Sequence, residues 1–122
     1  MTRPRFILPE AQVLKIYGHS DDSFCVEYSD GKGVSHDDAG QGLLRTWRVK
    51  APDGTGLHIS GRYPVSGAVW MIGISQLDEE KPLPPWPMRW DAEDYTVVLW
   101  LHVPAGTVVE LVEIDGKEYR DE

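Results

Sequence analysis

The chain has 122 residues and a formal net charge of −8, from 20 acidic and 12 basic side chains, with Cys25 as its one cysteine. That length suits a single domain with its own core, and a lone cysteine excludes an internal disulfide framework. The acidic balance repels phosphate backbones, so direct binding to nucleic acid is not expected.

In chain order, Met1 to Arg5 is basic, but only Phe6-Ile7-Leu8 follows before Pro9 and Glu10, too short an apolar run for a signal-peptide core. With no asparagine there is no N-glycosylation acceptor, and a cytoplasmic location is expected. Val13 to Tyr17 reads as a short strand ending at Gly18. Phe24, Val26 and Tyr28 alternate with Cys25 and Glu27, as in a strand with one wet face. Cys25 in that setting reads as a small buried hydrophobe rather than a nucleophile. Ser29-Asp30-Gly31 supplies a turn, because glycine adopts positive φ without steric cost.

Leu43, Arg45, Trp47 and Val49 alternate with Leu44, Thr46, Arg48 and Lys50. Pro52-Asp53-Gly54 turns that strand into one carrying Leu57 and Ile59, which together predict a hairpin. After a second turn at Tyr63-Pro64-Val65-Ser66-Gly67, residues 68–75 are apolar on both alternating sets, which predicts a central strand covered on both faces. Tyr95 to Val103 is β-branched, aromatic and long, the strongest strand signal in the chain. Its longest apolar stretch, Val97 to Val103, is far short of the roughly 20 residues that a membrane helix needs. Pro104-Ala105-Gly106 turns it into Thr107 to Ile114, where Val108, Val112 and Ile114 are expected on one face.

Only Pro9 to Leu14 and Asp91 to Asp94 resemble helical turns, and no window is amphipathic at helical period. Two segments leave the strand pattern. Residues 31–42 are rich in glycine and acid, as in a mobile loop. Asp78 to Asp94 holds four prolines, which cannot donate to a ladder, so it predicts an extended excursion or lid. The expected fold is therefore all-β and mainly antiparallel. It is a single domain over 1–122, a β-sandwich or partly open barrel with two long loops and with flexible ends at 1–10 and 117–122.

Three groups of residues carry candidate chemistry. Trp86, Arg89 and Trp90 sit in the proline-stiffened segment; tryptophan and arginine dominate binding hot spots, and stiffness lowers the ordering cost. The alternative is that the tryptophans cap an open end of the sheet. Arg45, Trp47 and Arg48 form a basic and aromatic stripe, with Lys50 beyond, that could hold a nucleotide-like ligand; the alternative is long side chains lying over apolar surface. His19, Asp21 and Asp22, and His36, Asp37 and Asp38, supply imidazole and carboxylate ligands for a divalent metal if their loops met, although ordinary turn chemistry explains them better. His58 and His102 fall in strands and read as structural. There is no nucleophile elbow, no phosphate loop and no dinucleotide fingerprint, so neither a catalytic set nor a cofactor is expected.

The run Ile16-Tyr17-Gly18-His19-Ser20-Asp21-Asp22 resembles the opening motif of a loose group of small proteins from bacteriophages, prophages and bacteria. In that group a strand ends in aromatic-Gly-(His/Tyr)-Ser-Asp-Asp and the next carries Val-Glu or Ile-Glu, here Val26-Glu27. Tyr63 with Trp70, and Asp94-Tyr95-Thr96-Val97-Val98, resemble its later strands, so the similarity spans Ile16 to Leu111. It implies a small β domain of viral origin, and no catalytic residue carries over. The expected function is noncatalytic binding, by a phage accessory factor that inhibits or sequesters a host protein or a small nucleotide-like ligand. A metal-dependent hydrolase and a virion or assembly component are the alternatives. Exposed strand edges make a homo-oligomer a further expectation.

Overall fold

A computed structural model describes residues 5–18, 24–28, 32–36, 44–62, 71–93, 96–114 and 117–118. All regular structure among them is strand: β1 (Arg5–Ile7), β2 (Gln12–Gly18), β3 (Phe24–Tyr28), β4 (Lys32–His36), β5 (Arg45–Lys50), β6 (Gly56–Arg62), β7 (Met71–Gln76), β8 (Met88–Glu93), β9 (Thr96–Val103), β10 (Val108–Ile114) and β11 (Lys117–Glu118). They form two antiparallel sheets. One runs β1-β10-β5-β6-β7, with β11 also on β10, and the other runs β4-β3-β2-β9-β8. Among the described residues no strand is shared between them, so the two expected architectures resolve to a sandwich rather than a barrel.

Alternation fills the space between the sheets. The β5 sheet contributes Trp47, Val49, Leu57, Ile59, Val109 and Leu111. The β9 sheet contributes Leu14, Ile16, Val26, Leu99, Leu101 and Val103, all buried in one cluster. Each such aliphatic side chain is worth about 1.5–3 kcal/mol relative to leaving it in water. Leu8 joins the cluster from the first connection, held by backbone bonds from Leu8 N–H to the Thr107 carbonyl and from Gly106 N–H to the Leu8 carbonyl (2.9 and 2.7 Å).

Two predicted turns form as their chemistry requires. Gly54 (φ +90°) closes the β5–β6 hairpin, where Asp53 accepts bonds from both the backbone N–H and the hydroxyl of Thr55. Gly106 (φ +82°) carries the chain from β9 in one sheet to β10 in the other. A Cβ at Gly106 would also meet the Pro52 ring at 2.6 Å, so this connection between sheets packs against the turn of the β5–β6 hairpin.

Several expectations are corrected. The Pro9 to Leu14 and Asp91 to Asp94 helical turns are not formed: residues from Gln12 lie in β2, and Asp91 to Glu93 lie in β8. A few residues without a neighbouring helix-compatible stripe cannot outcompete a ladder that satisfies every backbone group. The strand at Met71–Gln76 is not central but the edge of its sheet, and Met71 is exposed; its apolar alternate set faces the core through Ile72 and Ile74. A bulge between Leu111 and Glu113 breaks the expected face of Val108, Val112 and Ile114, since one inserted residue shifts all that follow. Residues 32–36 are a paired strand rather than loop. Arg5–Ile7 and Lys117–Glu118 pair with β10 rather than standing free as ends. The turns at 29–31 and 63–67 lie outside the described residues, as does the side chain of Cys25.

Candidate functional site

Among the described residues, the most exposed apolar side chains of the β9 sheet gather at its β8 edge. The approach to β8 is set by proline. Residues 82–87 cannot make a continuous ladder, because Pro82, Pro84, Pro85 and Pro87 lack the backbone N–H. The segment instead starts from a turn in which Asp78 accepts the Glu80 N–H through its side chain, and it buries Pro84. It packs Trp86 against the core cluster. The Pro87 carbonyl then accepts the His102 N–H at 2.9 Å, and from Met88 onward the chain pairs with β9.

That register sorts β8 into two faces. Arg89 and Asp91 stand opposite Trp100 and Val98 on the outer face of the sheet. Met88 and Trp90 stand opposite Leu101 and Leu99, on the face that elsewhere forms the core. Yet Met88 is 38% exposed and Trp90 47% exposed: β8 is the last strand of its sheet, and the facing β7 packs against β9. Leu83 is exposed on the approach segment as well. A tryptophan turned toward the core side but left in water is an unfinished interface in physical terms.

The outer face beside this edge is a cation–aromatic row. The Arg89 guanidinium lies 5.5 Å from the centre of the Trp100 ring. The Lys15 ammonium lies 5.5 Å from the same ring and 5.0 Å from the Tyr17 ring. The Tyr17 hydroxyl donates to Glu27 at 2.5 Å. Both cations hold over ring faces rich in π density, so the row is ordered from within the domain. The Trp100 indole N–H is buried and meets no hydrogen-bond partner among the described residues.

Comparison with protein-family models, with curated proteins and with solved structures finds no match for this chain. The site therefore stands on its geometry.

Among the sequence candidates, Arg89 and Trp90 are both exposed on β8 but on opposite faces of the sheet, and Trp86 is half-buried against the core cluster. The second group is split by the pleat. Arg45 and Trp47 are fully buried between the sheets. Arg48 reaches the opposite, outer face, where it bonds Glu110, which also takes Arg5 at 3.8 Å. The indole N–H of Trp47 finds no acceptor among the described residues. Of the metal candidates, His36 lies in β4 opposite Phe24, while His19, Asp21, Asp22, Asp37 and Asp38 lie outside the described residues. Among the described residues no three ligating side chains converge, and no helix is long and apolar enough to cross a membrane. The Thr55 hydroxyl, then the Thr55 N–H, hold the Asp53 carboxyl below the ordinary value of 3.8.

Sequence reading missed Lys15, Tyr17 and Trp100, because each lies in an ordinary strand. The available signal was their alternation: Lys15 and Tyr17 fall on one face of β2, and Trp100 falls on the wet face of the strongest strand. Which strands are neighbours was not written locally.

Proposed function

We propose that this protein is a noncatalytic binding module that works by occupancy, covering a protein surface with the β8 edge. The observation that carries the reading is the exposure of Trp90 and Met88 on an edge strand whose partner-facing side is unpaired among the described residues. An exposed tryptophan supplies large apolar area at small entropic cost, and arginine beside it supplies charged hydrogen bonds. An open edge adds main-chain groups to the same contact. On the resemblance at residues 16–22, the partner is a host protein and the setting that of a phage accessory factor, placed in the cytoplasm. The Arg89–Trp100–Lys15 row supports a smaller part for an anionic, nucleotide-like ligand at the same edge.

The test is a pull-down from bacterial lysate, with native mass spectrometry for retained small molecules. Trp90→Ala and Arg89→Ala are compared with the unaltered chain after thermal unfolding shows the fold is kept. Loss of the retained partner in Trp90→Ala is the expected result; equal retention by both variants would rule out this edge. Trp86 is unsuitable for the test, because its indole packs on the core and its removal perturbs the fold.

A further inference from the structure

We infer that the β8 edge is the interface of a two-fold dimer, in which β8 pairs antiparallel with β8 of a second copy about Trp90. The inference rests on the reading of this edge as a binding surface and names what covers it in the free protein, a second copy that a partner must displace. In an antiparallel ladder, successive residues alternate between pointing their N–H and C=O groups toward one neighbour and toward the other. The Pro87 carbonyl points at His102 of β9, so the alternation directs Arg89 and Asp91 toward β9. It leaves the main-chain groups of Met88, Trp90 and Ala92 facing outward. The Ala92 N–H agrees with this phase: it is taken by the adjacent Asp91 carboxylate at 2.8 Å.

Charge chooses the partner and the register. Residues opposite each other across a ladder share a face, so a symmetric antiparallel pairing of β8 with itself must centre on Arg89, Trp90 or Asp91. Centring on Arg89 sets two arginines opposite each other, and centring on Asp91 sets two aspartates opposite each other. Centring on Trp90 sets Arg89 opposite the second copy's Asp91, twice by symmetry. On the other face the same register brings Trp90 against Trp90 and Met88 against Ala92, which covers the side chains that the sandwich leaves wet. It also uses the outward main-chain groups of Met88, Trp90 and Ala92. The Ala92 N–H exchanges its local carboxylate for a main-chain carbonyl, and Asp91 is released toward arginine. No proline or lysine lies within β8 to blunt the edge. Strands of six residues make a contact below the standard interface size, so the dimer is weak and reversible.

Sedimentation velocity across a concentration series, on the whole chain, tests this. The unaltered protein should move from monomer to dimer with rising concentration. Arg89→Asp and Asp91→Arg should each abolish the dimer, because each sets like charges opposite one another. An equimolar mixture of the two variants should restore a dimer, since one copy then presents two acids and the other two bases. Thermal unfolding of each variant alone shows that the fold is kept. A monomer at every concentration overturns the inference, as does a dimer that survives both substitutions or a mixture that stays monomeric. A chain that is monomeric alone, yet loses a lysate partner on Trp90→Ala, overturns the dimer while leaving the binding reading standing.

Discussion

β5 carries Arg45-Thr46-Trp47-Arg48 and β8 carries Met88-Arg89-Trp90-Asp91, two strands in which arginine and tryptophan sit close together. Trp47 is fully buried and Trp90 is 47% exposed. Both tryptophans point to the core side of their sheets. The difference is position: β5 lies between β10 and β6 with the other sheet behind it, while β8 closes its sheet. The arginines diverge by the pleat instead: Arg45, two residues from Trp47, shares its inward face, whereas Arg89, next to Trp90, falls on the outer face. Arg45 is enclosed between the layers, whereas Arg89 lies over Trp100 with its own surface in water. An Arg-Trp pattern thus specifies a strand with a large side chain on one face, and the neighbours of that strand decide whether the side chain becomes core or contact surface.

The comparison can be broken most forcefully at Trp47. Trp47→Ala should cost about 3–5 kcal/mol in a denaturant titration, through lost burial and the cavity left behind. Trp90→Ala, the same chemical change, should cost clearly less, about 1–2 kcal/mol, because roughly half of that side chain is already in water within one copy. Equal losses at the two positions would mean that β8 is covered within the single chain. Next in size is Glu110→Ala, which removes the acceptor of Arg48 and Arg5 on the outer face of β10. Its side chain is 12% exposed, and the expected loss of about 1.5–3 kcal/mol is that of a hydrogen bond to a charged group. No change in the unfolding midpoint would show that Arg48 is held by the sheet alone.

The smallest effect belongs to Asp53 in the hairpin that joins β5 to β6. Its carboxyl is held below 3.8 in the fold, so it contributes stability that is present above its unfolded value and fades as pH falls through the lower folded one. The advantage of the unaltered chain over Asp53→Asn at neutral pH should therefore shrink in strongly acidic solution, as read from paired unfolding curves. Full exposure to solvent keeps that advantage small. An advantage that grew with acidity would contradict the bond from Thr55.

Much of the fold was legible residue by residue. The alternation in β2, β3, β5, β6 and β9, and the turns at Gly54 and Gly106, all follow from local pattern. The strands at Lys32–His36 and Met88–Glu93 were hidden. The first has glycine and polar residues where β-branched ones would signal a strand, and the second follows a run of prolines that argues for loop. Both are edge strands, which need pairing on one side only and so tolerate weak local preference. At the candidate site, Arg89 and Trp90 were visible as a hot-spot composition, but the Lys15–Trp100 contact was not, since it joins residues far apart in the chain.

By itself the sequence determined the class of this protein: two-residue periodicity makes strands with an oily and a wet side, and glycines at positive φ place the turns between them. Only the tertiary structure decided which strands ended a sheet, and with that which tryptophan was sealed in and which was left facing water. The physical reason is that side-chain direction is a local property of the backbone, whereas burial depends on what the rest of the chain brings to the other side.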